Sequence, residues 1–219
     1  MKFRSVFDII GPIMVGPSSS HTAGAARIGL FARHLFGQEP KNIKITLYGS
    51  FKDTYKGHGT DIALIGGLLG YDTYDKAIKT SLITANKKKI KYEFIESDIE
   101  YVHPNTAKIQ LEGNGKYLEV IGKSIGGGKM VIFEIQGFDV ELSADLNTLL
   151  LFFTINKENK ELLKQEVIKH DSISNYRFSN SVIEGNGLLV IELLKNEDKI
   201  INIFKKFSFI NDIKYAEKV

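Results

Sequence analysis

Apolar and polar positions recur with two different periods along this chain, and the changes of period mark its elements. Ile28, Phe31 and Leu35 recur at helical spacing behind a serine-rich stretch, which predicts a helix with a serine at its N-cap. Ile43, Ile45 and Leu47 alternate with polar neighbours and predict a strand, which Gly49-Ser50 ends. A loop holding Gly57 to Asp61 follows, then a second predicted helix through Ile62, Leu64, Ile65 and Leu68. Strands are expected at 90–95, 107–112, 117–122 and 130–136, with Gly113-Asn114-Gly115 as a hairpin turn between the second and third. A short apolar segment at 6–10, closed by Gly11-Pro12, precedes them all.

Near residue 146 the pattern changes. Residues 148–155 form an apolar run that predicts a strand, and 158–170 an amphipathic helix with Leu163 and Val167 four apart. Tyr176, Phe178 and Val182 alternate as a strand, and the Gly185-Asn186-Gly187 turn leads into another at 188–194. Ile200, Phe204 and Phe207 share one face of a helix at 197–207, and 210–215 closes as a last strand. This order, βαββαβ, is that of a ferredoxin-like split unit. The expected fold class is therefore α+β. A mixed domain at 1–146 packs helices on a largely antiparallel sheet, and a smaller βαββαβ domain follows at 147–219.

Composition narrows the function classes. A length of 219 residues suits one large domain or two small ones. A net charge of +3 gives no ground for a nucleic-acid partner, and the run Lys87, Lys88, Lys89 and Lys91 reads as a solvated loop or strand entry. No stretch reaches the ~18 uninterrupted apolar residues of a membrane span. The opening residues lack a signal peptide's apolar region and cleavage site, so a cytoplasmic location is expected. The chain has no cysteine, which excludes a disulfide framework and any thiolate-bound zinc or iron–sulfur cluster on this chain alone.

Three clusters could carry chemistry. In Ser18-Ser19-Ser20-His21-Thr22, adjacent hydroxyls and an imidazole stand at a predicted helix N-terminus, where free N–H groups and the helix dipole favour an anion such as a carboxylate. The same residues also read as a plain N-cap. In Gly57-His58-Gly59-Thr60-Asp61, flanking glycines leave the histidine accessible, and Asp61 either caps the next helix or orients the ring. His103-Pro104-Asn105-Thr106 reads as a turn with local side-chain bonds, or as one wall of a site. His34 and His170 read as surface residues. The glycine-rich stretch after Lys123 is not a phosphate loop. Its two registers require glycine where Tyr117 and Lys123 stand, and Met130 replaces the magnesium-binding hydroxyl of the second. It reads as a flexible or close-packed turn.

Taken in order, residues 16–25, Tyr48-Gly49-Ser50, 57–61, 103–106 and Ser124-Ile125-Gly126-Gly127-Gly128 resemble the beta chain of the bacterial iron–sulfur-dependent L-serine dehydratases. The region after 146 is similar in element order to an ACT domain. The first resemblance implies deamination of L-serine to pyruvate and ammonia, with a [4Fe-4S] cluster in place of pyridoxal phosphate. The cluster's thiolates then come from an alpha subunit, and this chain carries no metal ligand. It also implies His21 and His58 as the catalytic pair, orienting substrate or assisting proton transfer. Ser18, Ser19, Ser20 and Thr22 would hold the substrate carboxylate, with Gly59, Thr60, Asp61, His103, Asn105 and Thr106 completing the substrate site. The turn 156–160 lacks the glycine and proline of effector-binding ACT domains, which leaves homo-oligomerisation as the expected role of that unit. The alternative to a catalytic subunit is a non-catalytic serine-sensing or assembly module; a cysteine-bearing partner distinguishes the two.

Overall fold

The structure is a computed structural model that describes residues 13–101, 103–180, 183–195 and 198–219. The predicted segment at 6–10 and the strand position Val182 lie outside the described residues.

The first unit is a six-stranded sheet with helices on one face. In chain order its elements are α1 (Gly24–Phe36), β1 (Asn42–Tyr48), α2 (Gly49–His58), α3 (Thr60–Leu68), α4 (Ser81–Lys87), β2 (Lys91–Ser97), β3 (Thr106–Gly113), β4 (Lys116–Gly126), β5 (Lys129–Ile135) and β6 (Phe138–Leu142). The sheet order is β2-β1-β3-β4-β5-β6. Only the β1–β2 pair is parallel, and the other pairs are antiparallel. Ile43, Ile45 and Leu47 point into the core while Asn42 and Lys44 are exposed, as period-two alternation requires. The register places Ile45 opposite Ile109, and Ile109 opposite Val120, so one apolar face runs across the strands.

Helices α1 and α3 pack against each other closely. A Cβ at Gly67 would lie 2.1 Å from the Ala26 carbonyl oxygen, and one at Gly29 would lie 2.4 Å from that of Leu64. Two glycines at one crossing let the backbones touch. That contact sets the separation between the N-terminal ends of the two helices, where the candidate site lies.

Three elements differ from expectation. The stretch read as a loop before His58 is helix α2. It buries only Phe51 and Tyr55, four residues apart, and left-handed Gly59 (φ 70°) closes it. A single i,i+4 pair is too weak a periodic signal to predict a helix. Strand β6 has just two buried anchors, Phe138 and Leu142. Helix α4 buries only Ser81 and Ala85.

The second unit comprises β7 (Asn147–Thr154), α5 (Lys157–Val167), β8 (Ile173–Phe178), β9 (Asn186–Leu193), α6 (Asp198–Phe204) and β10 (Ile210–Ala216). Its sheet order is β10-β7-β9-β8, with every pair antiparallel. Leu149, Leu151 and Phe153 of β7 join Leu163, Val167, Ile200 and Phe204 of the helices in one core. Leu150 of β7, with Leu188 and Val190 of β9, belongs instead to the core of the first unit. Both faces of this sheet are therefore buried. That explains why β7 and β9 read as unbroken apolar runs rather than as alternating strands.

Candidate functional site

The residues from Ser18 onward form the entry to α1. Ser18 is extended, and its Oγ accepts the His21 backbone N–H at 3.1 Å, so the plain N-cap role is filled. Residues Ser19–Ala23 then make one wide π-type turn before the α-helix begins. Such a turn re-aims side chains and is common at functional sites. It turns the His21 ring toward α2. There Nε2 lies 3.1 Å from Ser50 Oγ, while Nδ1 lies 2.9 Å from Ser20 Oγ. Ser20 Oγ is in turn 3.3 Å from Ser18 Oγ.

His58 ends α2 and is exposed. Its ring stands edge-on to that of His21 with centroids 4.8 Å apart, and Phe51 packs on His21 at 5.4 Å. The Gly59 reversal brings His58 here, because one left-handed residue both closes α2 and opens α3. Thr22 secures the reversal by donating its hydroxyl to the His58 carbonyl at 3.2 Å.

The other two segments arrive through backbone contacts. The Phe51 N–H donates to the Pro104 carbonyl at 3.3 Å, and a Cβ on Gly49 would fall 2.8 Å from Pro104 Cα. The Ser124 N–H donates to the Asn105 carbonyl at 2.9 Å, and the Ser124 side chain fills the space over Gly24. Arg27 of α1 reaches the glycine loop, donating to the Gly128 carbonyl at 3.0 Å and pairing with Asp145 at 3.4 Å. Five segments spread over more than a hundred residues thus meet around the start of α1.

The predicted residues take different parts in this arrangement. His21, Ser20 and Ser18 form one hydrogen-bonded cluster beside His58. Thr22, Thr60 and Thr106 are buried, and the Thr106 hydroxyl donates to the His103 carbonyl at 2.7 Å. Asp61 accepts the Ile62 N–H at 2.8 Å, and burial raises its pKa. The His103 ring stays within its own turn, with Nδ1 accepting the Asn105 N–H at 3.2 Å. Among the described residues, Thr60 Oγ1 and Asn105 Oδ1 are buried without a hydrogen-bond partner. Buried polar atoms are rarely left so.

The sequence reading gave no role to Ser50, Phe51 or Arg27. Ser50 lies within a quoted segment, and nothing in the local pattern singles out the other two. His170, read as a surface residue, is half-buried against Glu166 at 3.1 Å, and His34 donates to the Glu217 carbonyl at 3.2 Å.

Burial holds the His21 pKa below its usual 6.5, the neighbouring His58 lowers it further, and hydrogen bonding to the Ser50 backbone raises it. His103 is also lowered, first by burial and then by Lys123. Both rings are therefore neutral near pH 7. Because the unfolded chain binds protons to these histidines more readily, they make stability fall as pH drops below 6.5 toward their folded values, and add no pH dependence above it. Thermal melts across pH 5–8 are expected to show this acid-side loss, smaller in His21→Gln. An unchanged profile in that variant would contradict it.

Among the described residues, no group of three or more His, Cys, Asp or Glu is placed to hold a metal ion. With no cysteine in the chain, its donors do not fit an iron–sulfur cluster. No helix of the described residues is long and apolar enough to cross a membrane.

The fold and site define an α+β protein with a hydroxyl- and imidazole-lined surface that is exposed at His58. A family model described as "Serine dehydratase beta chain" matches residues 5–134. The chain is 58% identical over 151 residues to the probable L-serine dehydratase beta chain of Bacillus subtilis (strain 168), covering 69% of each. It is 45% identical over 153 residues to the L-serine dehydratase beta chain of Peptoniphilus asaccharolyticus, again covering 69% of each. An L-serine dehydratase of Haemophilus influenzae is 32% identical over 157 residues, which make up 58% of this chain and 33% of that one. This chain belongs to the serine dehydratase beta chain family.

Proposed function

We propose that this chain is the beta subunit of an L-serine dehydratase, converting L-serine to pyruvate and ammonia together with an alpha subunit that carries a [4Fe-4S] cluster. The observation that carries the reading is the meeting of the five family-like segments around His21, on a surface left open at exposed His58. Active sites enclose their substrates, so a surface left open at His58 supports reading it as one wall of a shared site.

The chain's own residues divide the work by their chemistry. When L-serine binds, the hydroxyls of Ser18, Ser19 and Ser20 donate to its carboxylate. Ser18 and Ser20 then give up the bonds they make with Ser20 and His21, which frees His21 Nδ1. Neutral His21 accepts or passes a proton near pH 7, and His58 offers a second imidazole 4.8 Å away. Thr22, Thr60 and Thr106, being buried, hold the three loops in shape. The cluster belongs to the partner, because this chain has no thiolate to bind it. Residues 147–219 are read as an ACT-type unit in which subunits of a homo-oligomer meet, and the enzyme as cytoplasmic. The Haemophilus relative supports a shared site, since the matching region there is one third of a longer L-serine dehydratase.

The test is anaerobic reconstitution. Each chain alone, and the two mixed, are given L-serine and pyruvate is followed. Pyruvate from the mixture only, lost on oxidation of the cluster by air, is the expected result. Full turnover by the partner alone would reject the reading.

A further inference from the structure

The geometry points to Ser50 as the residue that positions His21, accepting the Nε2–H and leaving Nδ1 as the nitrogen that faces the serines as a base. Only the catalytic consequence of this inference rests on the proposed function.

The argument is one of hydrogen bookkeeping. A neutral imidazole carries one N–H, and each hydroxyl donates once. Ser18 Oγ already accepts the His21 backbone N–H at 3.1 Å. Accepting that bond makes its own O–H a better donor. The neighbouring acceptor is Ser20 Oγ at 3.3 Å, and Ser20 in turn donates to Nδ1 at 2.9 Å. Every group in this line accepts and then donates. In this order the imidazole proton sits on Nε2, whose neighbour is Ser50 Oγ at 3.1 Å. The opposite order would aim two donors at Ser18 Oγ, which its two lone pairs can accept, but would leave the Ser18 O–H without an acceptor in the line. The order that starts from Ser18 is therefore favoured. Ser50 is held rigidly for this task. It lies in the first turn of α2, after left-handed Gly49 (φ 51°), which packs against Pro104, and the Thr54 hydroxyl donates to its carbonyl at 2.6 Å. Among the described residues, the titratable group facing the His21 ring is His58, which lowers its proton affinity. The Ser50 backbone acts in the other direction, and a hydroxyl that accepts from Nε2 acts in the same sense, because protonated His21 keeps donating there.

The experiment uses the full chain, with its histidine side chains labelled with nitrogen-15. Above the His21 transition, long-range proton–nitrogen correlations are expected to show the Nε2–H tautomer. In Ser50→Ala that preference is lost and the His21 titration midpoint moves down; Ser50→Thr, which keeps the hydroxyl, restores both. In the reconstituted enzyme, Ser50→Ala is expected to lower kcat by about 10- to 100-fold with little change in KM. The acid limb of its pH profile should follow the shifted midpoint. An Nδ1–H tautomer in the unaltered chain, or a Ser50→Ala chain with unchanged tautomer and midpoint, would overturn the assignment. The unaltered chain suffices for the first of these if the variant fails to fold. Absence of pyruvate from the reconstituted mixture would reject the proposed function and leave the tautomer result standing.

Discussion

Replacing His21 with alanine is expected to cut serine turnover by the reconstituted enzyme about 10²- to 10⁴-fold, the usual worth of a placed acid–base group. The imidazole touches hydroxyls of both the α1 entry and the α2 start, at 2.9 Å and 3.1 Å. Removing it separates the Ser18–Ser20 cluster from Ser50 and takes away the neutral base. The loss should fall on kcat, because the hydroxyls proposed to hold the carboxylate remain. The fold should persist, since His21 is only partly buried and Phe51, beneath it, is packed in the core. Near-normal turnover in a folded His21→Ala chain would remove His21 from the mechanism.

The second large effect concerns the frame of the site. Gly67→Ala is expected to destabilise the chain by about 3 kcal/mol, at the upper end of overpacking costs. The added Cβ would meet the Ala26 carbonyl oxygen at 2.1 Å, the Leu30 nitrogen at 2.6 Å and the Gly29 carbonyl carbon at 3.0 Å. All three are backbone atoms of α1, so no side chain can rotate away and the helix itself must shift. Gly57→Ala is the control. It lies in α2, has nothing within 4 Å of its Cβ position, and should be neutral or stabilising by about 0.5–1 kcal/mol, as expected for alanine over glycine in a helix. Urea denaturation reads both, and equal midpoints for the two variants would refute the close crossing. Because α1 and α3 start at the site, Gly67→Ala should also disturb the His21–His58 contact.

Much of this architecture was legible in the residue pattern. Ile43, Ile45 and Leu47 marked β1, Leu163 and Val167 marked α5, and the glycine turns at 113–115 and 185–187 separated the right strands. Helix α2 was not legible, because Phe51 and Tyr55 supply one apolar pair and its stop signal, Gly59, also starts the next helix. The joining of two cores was hidden for a different reason. An apolar run such as Leu149-Leu150-Leu151 says that both faces of a strand are buried but not against what. The site was half legible. The serine and histidine types announced its chemistry, while their meeting depends on contacts between segments such as Gly49 with Pro104 and Gly24 with Ser124, which no local spacing encodes. Ser50 lay in plain view beside Gly49, and only the direction of the His21 ring gave it a role.

The central claim is that partner and substrate meet this chain at the start of α1. Hydrogen–deuterium exchange of the chain, alone and with the cluster-bearing partner and L-serine, tests it most directly. Slower exchange is predicted in the segments 16–24, 49–61, 103–106 and 124–128, deepening when L-serine is added. Protection confined to the second unit, with those segments unchanged, would contradict the account.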